Sequence, residues 1–286
     1  MAAKPRIAIV GPGHFGMALA GSLRRAGYTI DVVMARPRAE SLKKARSLAR
    51  KVGARVLTDP SGLRADLVWF CVPDSEIAPA ARSFAGKILW KGTVALHSSG
   101  ALASDELRAL RNVGASVASV HPLMTFVGGS QPLLARVPFA IEGDTTAVRV
   151  ARRIVDDLGG YAYGIRKRDK VAYHAWGTFA SPLFTALLAT TEQVAALAGV
   201  TRKAARQRMM PILLQTLANY AAFGAANAFS GPIVRGDVNT VKGHLRVLRF
   251  NPAAREVYSA LAQSALLFLP ARNKKLLKQI LGSHRG

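Results

Sequence analysis

A four-residue apolar run, Ile7-Ala8-Ile9-Val10, leads into Gly11-Pro12-Gly13-His14-Phe15-Gly16, and then into small and apolar residues that stop at Gly27. This order predicts strand, tight glycine turn and helix, and few chain starts constrain a fold as strongly. Gly11 permits the turn. Gly13 removes the side chain that would stand where a pyrophosphate lies. Gly16 lets helix and strand pack closely. The N–H groups of the helix start, helped by the helix dipole, then face an anion. A second apolar run, Thr29–Met34, follows Gly27 and supplies the context that a dinucleotide site needs. The competing reading is an ordinary glycine-rich turn of an α/β protein.

The alternation continues. A basic helix is expected from Arg38 to Val52. Strands are expected at Ala54–Leu57, Asp66–Val72, Thr93–His97, Ala115–Val120, Phe139–Ile141 and Tyr161–Ile165. Ser104 is expected to cap a helix whose first turn carries Asp105 and Glu106. Strands alternating with helices imply a doubly wound, mostly parallel α/β sheet. From Asp169 the pattern changes to long helices: Lys170–Ala198 with a kink at Pro182, then one capped by Thr201 and broken at Gly231-Pro232, then three shorter ones. The expected division is residues 1–166, a dinucleotide-binding domain, and residues 167–286, a helical substrate and dimerisation domain.

The net charge is +24, with +10 in residues 1–164 and +14 in residues 165–286. Such a surface attracts anions and binds nucleic acid without sequence preference. The basic residues are scattered and not interleaved with aromatics, so no specific nucleic-acid partner is expected. The uncharged stretch Met209–Val234 carries Pro211, Gln215, Asn219, Asn227, Ser230 and Pro232. That favours a helix buried between two subunits of a homodimer over a membrane span. A single cysteine, Cys71, and a chain start without a leader pattern predict a cytoplasmic protein.

In open parallel sheets, ligands sit beyond the carboxyl ends of the strands. The segments there include Val72-Pro73-Asp74, His97-Ser98-Ser99-Gly100 and His121-Pro122-Leu123-Met124-Thr125-Phe126. Later come Lys170-Val171-Ala172-Tyr173-His174 and Gly231-Pro232-Ile233-Val234-Arg235-Gly236-Asp237. This set resembles a bacterial family of uncharacterised NADP-dependent oxidoreductases that join a Rossmann-like domain to a helical C-terminal domain of unknown function. That family is similar, at a distance, to pyrroline-5-carboxylate reductase, ketopantoate reductase and 3-hydroxyacid dehydrogenases. The resemblance implies an Asn about twelve residues after Lys170, where this chain has Phe179-Ala180-Ser181-Pro182.

The residues then sort by role. Gly11, Pro12, Gly13, His14, Phe15, Gly16, Arg36, Val72, Pro73 and Ser98 are candidates for the cofactor. Arg36 stands where NAD-selective sites place an acid, which favours a 2′-phosphate and hence NADP(H); the alternative is a solvated basic helix start. Hydride transfer also needs a group that polarises the acceptor and supplies a proton. Lys170, His174 one helical turn later, and His121 at a strand end are the catalytic candidates. Each has a blander reading, as a linker charge or a structural hydrogen bond. Arg235 and Asp237 either pair with each other or meet substrate. No metal-ligand spacing is present. The expected function is NADPH-dependent reduction of a small carbonyl or imine, acids among the candidate substrates; the alternative is a non-catalytic NADP(H)-binding or sensory module.

Overall fold

The computed structural model describes residues 3–128, 130 and 133–282. The chain divides into two compact units, Met1–Thr178 and Phe179–Gly286.

The first unit is built on one eight-stranded sheet: β1 (Ile7–Val10), β2 (Ile30–Met34), β3 (Arg55–Leu57), β4 (Leu67–Phe70), β5 (Val94–His97), β6 (Ser116–Pro122), β7 (Pro138–Gly143) and β8 (Tyr161–Gly164), in the order β3-β2-β1-β4-β5-β6-β7-β8. Every neighbouring pair is parallel except β6 with β7. Parallel strands covered on both faces read as continuous apolar runs, which is why β1, β4 and β5 stand out in the sequence. The pleat splits each run between two cores. Ile7 and Ile9 join the core under α1 (His14–Arg25), α2 (Ala39–Val52) and a later helix, α5 (Thr145–Asp157). Ala8 and Val10 join the opposite core, under α3 (Asp74–Ala85) and the 3₁₀ turn Ser104–Leu107 that runs into α4 (Arg108–Arg111). Truncating a fully buried residue such as Ile9 to Ala costs about 2–5 kcal/mol. The strand order reverses at β1, so a crevice opens at its carboxyl end, where the glycine turn lies.

One helix is added to the sequence pattern, and one local reading changes. The segment after β4 forms the helix α3, although Pro79 lies inside it and removes one intrahelical hydrogen bond. Burial of Ile77, Ala81 and Phe84 along one face holds it together. Ser104 is not a cap. Its N–H and hydroxyl both donate to the buried Glu142 carboxylate, at 2.6 and 2.8 Å. A carboxylate with no water to turn to takes those donors from the chain.

The first unit ends with α6 (Lys170–Thr178), whose Lys170 and Tyr173 are buried. The change of sequence pattern after residue 166 and the division into compact units after Thr178 mark different things. One is where strands give way to helices, the other where packing is interrupted.

The second unit opens with a π-helical turn, Phe179–Leu183, that holds Pro182. A π turn leaves the backbone slack that a proline needs inside a helical run. The helices α7 (Phe184–Leu197), α8 (Arg202–Ala228), α9 (Pro232–Arg235), α10 (Val238–Leu248), α11 (Pro252–Phe268) and α12 (Lys274–Gly282) follow. Thr201 caps α8 by accepting from the Ala204 N–H, and Arg235 pairs with Asp237 at 2.8 Å. α10, α11 and α12 enclose a small core of Val241, Leu245, Ala262, Leu266, Leu277 and Leu281. By contrast, α7 buries no residue and α8 buries only Ala205. Ile212, Leu214, Leu217, Tyr220 and Phe223 of α8 are all exposed. No single described helix is long and apolar enough to cross a membrane.

Candidate functional site

The glycine turn after β1 is shaped by what its residues lack. Gly11 has φ +104°, and a Cβ there would lie 2.5 Å from the Cys71 carbonyl oxygen. A Cβ on Gly16 would lie 2.2 Å from the Gly11 carbonyl oxygen. Neither position accepts a side chain without moving backbone. Gly13 is different. Its Cβ would meet only the Cys71 oxygen, at 3.9 Å, so the space above it is open. Gly13 also begins α1 without a side-chain cap, and the first turn holds no acid. The free N–H groups and positive helix end are therefore left for an anion. His14 lies against Gly128, and the Phe15 ring packs edge-on against Phe126 at 5.1 Å.

The turn opens into a cavity of about 770 Å³ lined by Gly11, Pro12, Gly13, Arg36, Val72 and Pro73, with further walls from α2 and α3. Its charged lining is organised in pairs. Lys44 meets Glu40 at 2.8 Å, Lys87 meets Asp59 at 2.5 Å, and Arg36 meets Glu76 at 3.4 Å. The Lys87 ammonium holds the Asp59 carboxyl down at about 2. Arg38 also lines the cavity, and its side chain makes no hydrogen bond or ion pair among the described residues. Cys71 is a free thiol whose pKa burial pushes far up.

A second cluster forms where β5, β6 and α6 meet. Lys170 is 0 % exposed, and its ammonium donates to the Ser99 carbonyl at 3.0 Å and to Ser119 Oγ at 2.8 Å. Ser119 Oγ in turn donates to the Ser99 carbonyl. Burial lowers the Lys170 pKa to about 8, against the pull of the Glu142 and Asp74 charges. His97 is also fully buried. Its Nδ1 accepts from the Ser99 N–H, so Nε2 carries the proton donated to the Ala103 carbonyl. Burial holds His97 at about 4, and it is neutral at ordinary pH. His121, at the end of β6, shares a hydrogen bond of 2.9 Å between Nδ1 and the Tyr173 hydroxyl. Burial, then the charges of Lys170 and His174, lower His121 to about 4 as well. The His121 and His174 rings stand 6.1 Å apart at a steep angle. Both press on Gly100, where a Cβ would lie 2.6 Å from His174 Cδ2 and 2.8 Å from His121 Nε2.

One hydrogen bond ties the two regions together. Ser99 Oγ donates to the Asp74 carboxylate at 2.8 Å, and Asp74 follows Pro73 on the cavity wall. Ser99 Oγ also accepts from the Ala101 and Leu102 N–H groups, so it closes its own turn.

The sequence-expected residues thus fall into three groups. Gly11, Pro12, Gly13, Arg36, Val72 and Pro73 share the cavity, and Gly16 packs behind the turn against the Gly11 carbonyl. Lys170, His174 and His121 gather around Gly100 and the Ser99 carbonyl. His14, Phe15 and Ser98 have protein partners: Gly128, Phe126, and the Trp69 indole, which donates to Ser98 Oγ at 2.8 Å. Three residues went unmarked in the sequence reading: Gly100, Tyr173 and Glu76. Tyr173 sits between Lys170 and His174 in a segment already singled out, so helical spacing alone could have drawn it in. Gly100 likewise closes the His97-Ser98-Ser99-Gly100 segment already singled out, whereas nothing local marks Glu76. No group of three or more metal-ligating side chains occurs among the described residues.

Comparison with known proteins agrees with this architecture. No curated protein matches the sequence. Among solved structures, BF3122 from Bacteroides fragilis, provisionally named an NADP oxidoreductase, shares 23% identity with a TM-score of 0.77, over 91% of this chain and 97% of that one. An imine reductase from Pseudomonas sp. shares 20% identity with a TM-score of 0.65, over 92% and 94%. A reductive aminase from Aspergillus terreus, in complex with NADPH and ethyl-5-oxohexanoate, shares 16% identity with a TM-score of 0.65, over 92% and 94%. Residues 1–122 match the Rossmann-like domain, and residues 137–265 match the family described as domain of unknown function DUF2520. The chain therefore joins a Rossmann-like domain to a DUF2520 domain.

Proposed function

We propose that this protein is an NADPH-dependent oxidoreductase that reduces a small carbonyl or imine compound, with carboxylate-bearing substrates favoured. The observation that carries the reading is the open space over Gly13, at an uncapped helix start, leading into a cavity edged by Arg36 and Arg38. A dinucleotide pyrophosphate fits that space, and the guanidinium groups suit a 2′-phosphate. The structural likeness to a reductive aminase in complex with NADPH and to an imine reductase supports the same reading.

When bound, the cofactor supplies the hydride. The chain itself has to hold and polarise the acceptor. With the Tyr173 hydroxyl donating to His121 Nδ1, Nε2 would stand as an N–H donor on the Gly100 side. His121 Nε2 and His174 are the groups that would touch the acceptor atom. Lys170 lies beneath them, fully buried, and holds the Ser99 carbonyl in place. It acts as a positioning residue, and its positive charge favours an anionic substrate nearby. The two carboxylates closest to this cluster are occupied, Asp74 by Ser99 and Glu142 by Ser104, and so offer little to a cationic imine.

The exposed apolar surface of α8 beyond Met209 favours a homodimer in which a second copy covers it, since an uncharged stretch of that length gains from burial. The test of function is NADPH consumption with a panel of 2-oxo acids and cyclic imines. Turnover of at least one, with NADPH preferred to NADH, is expected. Binding of NADPH without turnover of any would leave a sensory module as the better reading.

A further inference from the structure

Arg36 follows β2, and Glu76 lies in the first turn of α3, which follows β4. In the sheet, β2 and β4 flank β1 on opposite sides. The Arg36–Glu76 ion pair, 3.4 Å from Nη1 to Oε1, therefore joins the two walls of the crevice that opens beyond β1. Both residues line the cavity, and both side chains remain partly exposed. An exposed pair of this length is weak. A phosphate dianion makes stronger, charge-assisted bonds to a guanidinium and can take it from a carboxylate. The displaced carboxylate would stay on the cavity wall and repel the phosphate that replaced it.

Resting on the cofactor reading above, we propose that Glu76 is a selectivity residue that competes with the 2′-phosphate of NADPH for Arg36 and so restrains the preference for NADPH over NADH. Its place opposite Arg36, rather than beside it on α2, gives it this role. The Lys44–Glu40 pair is local to one helix and closes nothing.

The test is calorimetric titration of wild type and Glu76→Gln with NADPH and with NADH at fixed salt. Glu76→Gln should bind NADPH about three- to ten-fold more tightly and NADH within about two-fold of wild type. In an Arg36→Gln background the same substitution should change NADPH affinity by less than about two-fold, because the competition needs both partners. The gain should also shrink in high salt. Glu76 is partly exposed, and its backbone N–H bond to the Pro73 carbonyl survives the change, so the variant should fold. Equal tightening of both cofactors, or none, overturns the role given to Glu76. A wild type that binds neither cofactor overturns the cofactor reading itself, and this one with it.

Discussion

The two halves of the sheet's carboxyl edge are built from different materials. Over β1, β2 and β4 the lining is glycine, backbone N–H and exposed ion pairs. Over β5 and β6 it is buried side chains, with His97, Ser99, Ser119 and Lys170 linked by hydrogen bonds. The first region works by leaving room. The second works by placing groups that have lost their water, and such groups are costly unless every one is paired. Substitutions in the first region, Gly11 and Gly16 apart, should therefore change affinity and spare stability. Substitutions in the second should change stability, or rate, and spare cofactor affinity.

The largest effect is expected at Lys170. Lys170→Ala removes two buried hydrogen bonds and leaves a void, which should cost about 3–4 kcal/mol in chemical denaturation. NADPH affinity should change by less than about three-fold. The pH dependence is a second readout. The folded pKa of about 8 lies below the ordinary lysine value of 10.5, so between these values the native state holds fewer protons than the unfolded state. Lys170's contribution to stability should then rise with pH across that window, by about 3 kcal/mol, and stay flat below pH 8. A wild type and a Lys170→Met variant that change in parallel from pH 8 to 10 would contradict a buried charge at this position.

Next in size is Gly100→Ala. The added Cβ needs the space that the His121 and His174 rings occupy, so both must move. Turnover should fall by about 10²-fold, the scale of a misplaced general acid. Cofactor affinity should be unchanged, because Gly100 lies outside the cavity at the glycine turn. A parallel loss of NADPH binding would mean that the two regions do not work separately.

The contrast between the regions also explains which parts were legible in the sequence. The glycine turn was, because turn geometry demands glycine at fixed local spacing. So were β1, β4 and β5, whose apolar runs reflect burial on both faces. The buried network was legible only as separate candidates, because its partners are far apart along the chain. Lys170 lies 71 residues from Ser99, and Tyr173 lies 52 from His121. Ser104 reads locally as a cap, and only the fold brings Glu142 to it from 38 residues away. Pro79 lies inside α3, where a proline weakens the local helix signal and tertiary packing overrides it. Arg36 was legible as a basic residue after β2, whereas its partner Glu76 comes from the far side of the crevice.

The smallest effect is expected at Ser98. Its hydroxyl accepts from the Trp69 indole, so Ser98→Ala should cost about 1–2 kcal/mol of stability and leave NADPH affinity within about two-fold. A loss of affinity beyond ten-fold would place Ser98 at the cofactor and not in the packing behind it.

The central claim is that the open space over Gly13 holds the cofactor's pyrophosphate. Its most direct test is NADPH titration by calorimetry of wild type and Gly13→Val, with thermal unfolding measured alongside. A Cβ at Gly13 meets nothing closer than 3.9 Å, so the variant should unfold within a few degrees of wild type. Its side chain fills the pyrophosphate position, so NADPH binding should fall by about 10²-fold or more. A folded Gly13→Val variant that keeps wild-type affinity for NADPH would contradict the account.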